Sequence, residues 1–238
     1  MIYRPRRPAG ATGRVYDHLF DQIVHDGLRP GVLLSESELA KQLESSRTPV
    51  REALLMLEGN GLVKRYPGRG YLVTEITSQD VDEIFEIRLA LERCALRKAF
   101  GLIGEREVEA LEGQLLALDD DSSPDDYYSA DRALHQLLAL YCGNSRLQEF
   151  LGTLDSQIER VRCISARRPD RLKESRREHL DILQAIQAGD LPLAEERLGL
   201  HITNVGLSTK QVCQRRKVRQ PFPREQPQPE PGAAAYYV

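Results

Sequence analysis

Cysteine is scarce and scattered in this chain. Cys94, Cys142, Cys163 and Cys213 form no CxxC pair, so neither a disulfide framework nor a zinc ribbon is expected. The thiols read as reduced, mostly packed side chains. No apolar run approaches membrane-spanning length, and the opening Met-Ile-Tyr-Arg-Pro-Arg-Arg-Pro lacks the apolar core of a signal peptide. A cytoplasmic protein without a membrane partner is the expectation. There is no internal repeat, and the net charge of −3 is too small for a general polyanion binder.

What charge there is lies unevenly. Residues 1–75 carry 11 Lys/Arg against 9 Asp/Glu, and the remainder 22 against 27. A mildly basic front and an acidic rear suit nucleic-acid contact at one end and something else at the other. At 238 residues the chain can hold two domains with separate cores.

Residues 1–10 are Pro/Arg-rich and expected to be disordered. A helix fits 12–27, with Val15, Leu19, Ile23 and Val24 on one face, and Gly27-Leu28-Arg29-Pro30-Gly31 breaks it. Ser35 or Ser37 can cap a second helix carrying Leu39, Ala40 and Leu43. A third, over 48–60, has Ser46 as its cap and Pro49 in the first turn, where a missing N–H matters little. Gly61 ends it. Residues 62–65 and 71–75 alternate as strands around Pro67-Gly68-Arg69-Gly70.

From 78 onward the pattern is helical, over 79–100, 105–118, 124–142, 145–167, 171–188 and 192–212, with almost no strand signal. After Cys213 the chain turns basic and then Pro/Gln/Glu-rich, as a disordered tail would. The expected fold is mostly α: an N-terminal winged helix-turn-helix of three helices and a small β wing over 11–76, followed by an all-α six-helix bundle over 77–213. Residues 1–10 and 214–238 flank them.

The third helix opens with Ser46, Arg47, Thr48 and Arg51. Hydroxyls and guanidiniums at a helix N-terminus favour phosphate, and recognition helices touch duplex DNA through these positions. A solvated i,i+4 face is the plainer account of Arg47 and Arg51. Against it stand the cap, the proline, the wing and the lack of acids on that face before Glu52.

The segment Gly31–Val73 resembles the GntR family of transcriptional regulators, whose pattern reads roughly LAxxLxVSRTPVREALxxLxxxGLVxxxPxRGxxV. The resemblance implies DNA contacts from Ser46, Arg47, Thr48 and Arg51, with Gly68 and Arg69 of the wing near the minor groove. It also implies a homodimer on a palindromic double-stranded operator. Two departures stand out: Glu44-Ser45 replaces the usual Gly-Val of the turn, and Ser37 sits where some members carry a base-contacting Arg.

Of five histidines, three fall in the bundle. Asp131 and His135 lie four residues apart, with Cβ atoms about 5–6 Å from each other on one helical face; His179 and His201 lie in the last two helices. Each histidine alone is more readily a structural residue. Together, three imidazoles and a carboxylate suit Zn²⁺, Ni²⁺, Co²⁺ or Mn²⁺.

The bundle resembles the FCD-type effector domain of the FadR subgroup. Its metal-binding members join an Asp-x-x-x-His pair to one His from each of the last two helices, so the resemblance implies metal at Asp131, His135, His179 and His201. That argues against the branch which lost the metal for acyl-CoA-type ligands. The implied effector is a small organic acid, and Arg88 matches an arginine of the effector cavity. An ordinary salt bridge to Glu92 at i+4 is the competing account. Arg160 and Arg162 are further cavity candidates, while Gly143-Asn144 reads as a helix stop and cap.

A transcriptional regulator, with repression as the expected mode, is the favoured function. A metal-dependent enzyme would need a base near the site, for which only Glu178 offers itself. A DNA-binding protein with a purely structural metal is the third possibility.

Overall fold

The computed structural model describes residues 9–219 apart from 26, 120 and 166–167. The front half consists of α1 (Gly10–Val24), β1 (Leu33–Leu34), α2 (Glu36–Gln42), α3 (Arg47–Gly59), β2 (Val63–Tyr66) and β3 (Gly70–Val73). Val15, Leu19 and Ile23 recur every four residues, which puts them on one face of α1. They pack on Val50, Ala53, Leu54 and Leu57 of α3, and all seven are at most 5% exposed. Truncating Leu54 to alanine would cost about 2–5 kcal/mol by the usual cavity rule.

The strands form an antiparallel sheet in the order β1-β3-β2, with Leu33 opposite Leu72 and Val63 opposite Val73. The short β1 lacked any alternation long enough to be foreseen. Arg69 N–H donates to Tyr66 O (3.0 Å) and Gly68 has φ 74°, so Pro67-Gly68 makes a turn with glycine where φ must be positive. Gly70 is needed for space. A Cβ there would stand 2.3 Å from Leu34 O.

Helices α2 and α3 end in the same motif. Leu62 N–H reaches Leu57 O (2.9 Å) and Gly61 N–H reaches Glu58 O (2.9 Å), with Gly61 at φ 71°. Ser45 N–H reaches Ala40 O (2.9 Å) and Glu44 N–H reaches Lys41 O (3.4 Å), with Glu44 at φ 47°. This six-to-one closure calls for a left-handed residue, so the glutamate departing from the family pattern stands where glycine would be unstrained. The expected caps differ in detail. Ser35 and Ser46 occupy the N-cap positions but neither side chain accepts from a backbone N–H of its helix; Ser35 Oγ lies instead 3.0 Å from Ser37 Oγ.

The rear half contains α4 (Ser78–Ala99), α5 (Glu105–Leu116), α6 (Pro124–Tyr141), α7 (Ser145–Ser165), α8 (Pro169–Gln187) and α9 (Leu191–Arg219). Capping boxes at Thr77/Asp80 and Ser123/Asp126 start α4 and α6. Asn144 Oδ1 accepts from the N–H groups of Arg146 and Leu147 (both 3.2 Å) and so begins α7 after the Gly143 stop. Antiparallel α4 and α9 are tied by Arg97–Glu195 and Lys210–Asp82. The break expected after Cys213 comes later, since α9 continues through Arg219. Of the flanks expected to be disordered, 1–10 and 214–238, α1 already begins at Gly10 and α9 takes in 214–219, while 1–8 and 220–238 lie outside the described residues.

Two apolar cores result, one per half. They meet along α7. Gln157 Nε2 donates to Asn60 O (3.3 Å) at the end of α3, and Arg160 donates to Thr74 Oγ1 (3.0 Å) and Thr74 O just after β3.

Candidate nucleic-acid interface and metal centre

Arg47 and Arg51, one turn apart on the exposed start of α3, face Arg65 and Arg69 from the hairpin. With Ser35 and Ser37 they line an open cleft of about 370 Å³. Ser46 and Thr48 are exposed beside it. Nothing lies within 4 Å of the Cβ position of Gly68, so the hairpin tip is unobstructed. The Arg65 and Arg69 guanidiniums lie over the rings of Tyr71 and Tyr66 at 5.8 and 6.0 Å. The cleft joins a helix N-terminus to four cations, an arrangement matched to a phosphate backbone. Arg65 was not singled out in the sequence because nothing in Lys64-Arg65 tells which of the two cations faces the cleft.

The second site lies inside the bundle. Asp131 and His135 project from one face of α6, His179 comes from α8 and His201 from α9. One ligand atom from each falls within 4.8 Å of all the others. Asp131 Oδ1 lies 3.3 Å from His179 Nε2, 3.8 Å from His201 Nε2 and 4.0 Å from His135 Nε2, and the Nε2 atoms of His179 and His201 are 3.2 Å apart. A tetrahedron with metal–ligand bonds of about 2.0–2.1 Å has edges near 3.3 Å, so the donor set fits a divalent transition metal.

Two carboxylates behind the imidazoles fix their orientation. Glu178 Oε2 accepts from His201 Nδ1 (2.8 Å), and Glu92 Oε2 accepts from His135 Nδ1. An ionised carboxylate only accepts, so each ring carries its proton on Nδ1; the Nε2 lone pair of His201 faces the cluster, while that of His135 accepts from Arg88 Nη2 and must exchange this bond for a metal. Burial opposes ionisation of Glu178, but His201 and Arg171 outweigh it and draw its carboxyl down to about 2. Burial and neighbouring His179 lower His201 to about 3, which keeps it neutral. Burial also lowers His135, against the pull of Glu92. The Asp131 carboxyl would rise on burial alone, yet Arg162 and His179 hold it well below the ordinary range. At neutral pH Asp131, His135 and His201 are thus in the forms a metal requires.

The three arginine candidates separate. Arg88 is 1% exposed; its Nε donates to Glu92 Oε1 (2.6 Å) and its Nη2 to His135 Nε2 (2.9 Å). It is the i,i+4 pair of Glu92, but a buried one standing against the cluster, and it lines neither cavity that reaches the site. Arg160 turns away to Thr74, which corrects its expected cavity role: its helical position aims it at the hairpin. Arg162 is in ion-pair contact with Asp131 Oδ2 and lines both cavities.

One of these cavities, about 30 Å³, touches Asp131, His179, Ser175 and Arg171. The other, about 620 Å³, ends on His135, Glu92 and Arg162. Glu178 is engaged by Arg171 (3.0 Å), Asn204 (2.7 Å) and His201, so it is a holder rather than a free base. Glu92 and Arg171 were missed in the sequence. The 88/92 spacing was the available hint for the former, whereas nothing marked the latter.

A winged helix-turn-helix with a cationic cleft, joined to a helical bundle around a buried polar site, fits the class of DNA-binding proteins with a second, helical domain. The comparisons make the class specific. Residues 11–73 match the gntR family of bacterial regulatory proteins and residues 83–204 match the FCD domain. The HTH-type transcriptional repressor RspR of Escherichia coli (strain K12) is 32% identical over 205 residues, covering 84% of this chain and 90% of its own. The HTH-type transcriptional regulator YdhC of Bacillus subtilis (strain 168) is 28% identical over 193 residues, covering 79% and 86%. The solved structure of E. coli McbR/YncC superposes with a TM-score of 0.70 at 24% identity, covering 86% and 99%. The chain belongs to the GntR family, in its FCD-containing, FadR-like subgroup. It is a DNA-binding transcriptional regulator, from a family of regulators and not of enzymes.

Proposed function

We propose that this regulator is a cytoplasmic repressor that grips a palindromic operator as a two-fold homodimer and changes its grip when a small carboxylate reaches a metal in the helical domain. Residues 11–76 form the reading unit and 77–213 the sensing unit. Ser46, Arg47, Thr48 and Arg51 contact the duplex from α3, and Gly68 and Arg69 from the wing. One recognition helix spans few base pairs, hence the dimer. The likeness to RspR, a repressor, favours repression.

The observation that carries the sensing half is the convergence of Asp131, His135, His179 and His201. These residues would hold Zn²⁺, Ni²⁺, Co²⁺ or Mn²⁺, and the bound ion would anchor a carboxylate oxygen as a Lewis acid. Arg88 holds Glu92 and sits on His135 Nε2, so it would give up that nitrogen to a bound metal. An enzymatic reading finds no support in Glu178, whose oxygens are already engaged.

The test is operator titration with and without metal and a panel of small acids. Acid should shift operator affinity about 5–150-fold in the metal-loaded protein. His179→Ala should abolish metal and response while leaving basal binding intact; Arg47→Ala and Arg51→Ala should each weaken operator binding and leave metal content unchanged. A His179→Ala protein that still binds one metal per chain and answers acid normally would overturn the site. Metal binding without any acid response would leave a structural metal.

A further inference from the structure

We infer that the acid sensed here has an apolar body, housed in the larger cavity, and that Arg162 receives its carboxylate. This rests on the proposed acid-sensing site and narrows its ligand class.

The first ground is volume. A water-sized group needs roughly 10–15 Å³ of such space, so the cavity of about 30 Å³ beside Asp131 and His179 admits a head group and no body. The cavity of about 620 Å³ on the opposite, His135 side lies within the range of small-molecule sites, about 300–1,000 Å³.

The second ground is chemistry. Walls of the larger cavity come mainly from Ala133, Leu137 and Leu140 of α6 and from Leu151 and Ile158 of α7, with Arg132, Gln136, Gln148 and Asp155 also along it. A polyhydroxy acid would find partners only at those four polar side chains, whereas an alkyl or aryl chain is matched by the apolar remainder.

The third ground is the charged part of the lining, which includes Glu92, His135 and Arg162. Arg88 is paired with Glu92 and lines neither cavity. Arg162 is 6% exposed, and its Nη1 makes no hydrogen bond, lying 3.6 Å from Glu159. It is therefore a buried cation with a spare donor, facing both cavities and touching the metal-ligand candidate Asp131. A carboxylate at the end of the larger cavity meets that donor beside the cluster.

The experiment measures binding of unbranched monocarboxylates, from acetate to octanoate, to the zinc-loaded full-length protein by calorimetry. Glycolate and malate are the polar comparators. Each added methylene should tighten binding about fourfold until the cavity is filled. Ala133→Phe should make the rise stop at a shorter chain. Arg162→Gln should weaken the whole series at least tenfold while keeping the gain per methylene.

A flat series, or malate or glycolate binding better than octanoate, overturns the inference while leaving acid sensing intact. An Ala133→Phe protein with an unshortened series removes the body from this cavity, and an unaffected Arg162→Gln protein removes Arg162 as the receiver. Silence toward every acid by a protein holding its zinc overturns acid sensing itself.

Discussion

Glu92→Gln is the sharpest probe of the buried network, because it removes a charge while conserving shape. In the wild type the Arg88 and Glu92 side chains are 1% and 4% exposed and joined at 2.6 Å. With a neutral amide in place of the carboxylate, the guanidinium stays buried without a counter-charge. Breaking a buried pair from one side costs about 3–5 kcal/mol. For a protein of this size each kcal/mol moves the midpoint about 2–4 °C, so a drop on the order of 6–20 °C should follow. Replacing both partners, Arg88→Met with Glu92→Leu, removes the stranded charge together with the pair and should restore most of that loss.

Metal affinity separates the roles. His135 Nδ1 keeps at best a neutral amide oxygen in the single variant and no acceptor in the double, so on the proposed metal site both should bind Zn²⁺ more weakly, the double by about 10–100-fold. Thermal melts of metal-free protein and competition with a zinc chelator read the two effects independently. A single-variant loss under about 1 kcal/mol would refute the buried-charge argument. A double variant that regains zinc affinity along with stability would show that Glu92 does not orient His135.

Three further perturbations test the reading half and its junction. Glu44→Gly relieves a left-handed glutamate in the α2 end motif and should stabilise the front half by about 0.5–1 kcal/mol in urea unfolding; destabilisation would contradict it. Gly70→Ala brings a Cβ within 2.3 Å of Leu34 O at φ 119°, so it should lower stability by at least about 2 kcal/mol and weaken operator binding; a neutral result would mean that the sheet yields. Arg160→Ala removes the hydrogen bonds to Thr74 and should cut any acid-induced change in operator affinity severalfold, with zinc affinity unchanged; full retention of the response would exclude this contact as a coupler.

Much of the fold was legible because periodicity and punctuation agreed. Four-residue recurrence of Val15, Leu19 and Ile23 is a statement about one helical face, and Gly61 at φ 71° is where a helix stop requires it. The α9 end was misread because composition changes at Arg215 while the hydrogen-bond ladder continues to Arg219. Leu33–Leu34 has no strand signal of its own; it becomes a strand only because β3 offers it an edge.

The four-residue cluster was legible for a different reason, since each member is a residue type with few ordinary uses inside a bundle. Its supports were not. Glu92 and Glu178 look like ordinary helix charges, and the imidazoles that donate to them lie 43 and 23 residues away.

Arg160 and Arg162 show where one-dimensional reading stops. Two positions at about 100° per residue point some 200° apart, so the two arginines cannot share a cavity. One must face the hairpin if the other faces the cluster. Which is which depends on the roll of α7, set by Ile158, Val161 and Ile164 packing at 5% exposure or less. That roll puts Arg162 on Asp131 and Arg160 on Thr74, while Gln157 reaches Asn60 at the end of α3. A rigid helix thus bears on a metal-ligand candidate with one face and on the exit of the recognition helix with the other. A change in charge at Asp131 need only favour one roll of α7 over another to bias the reading unit.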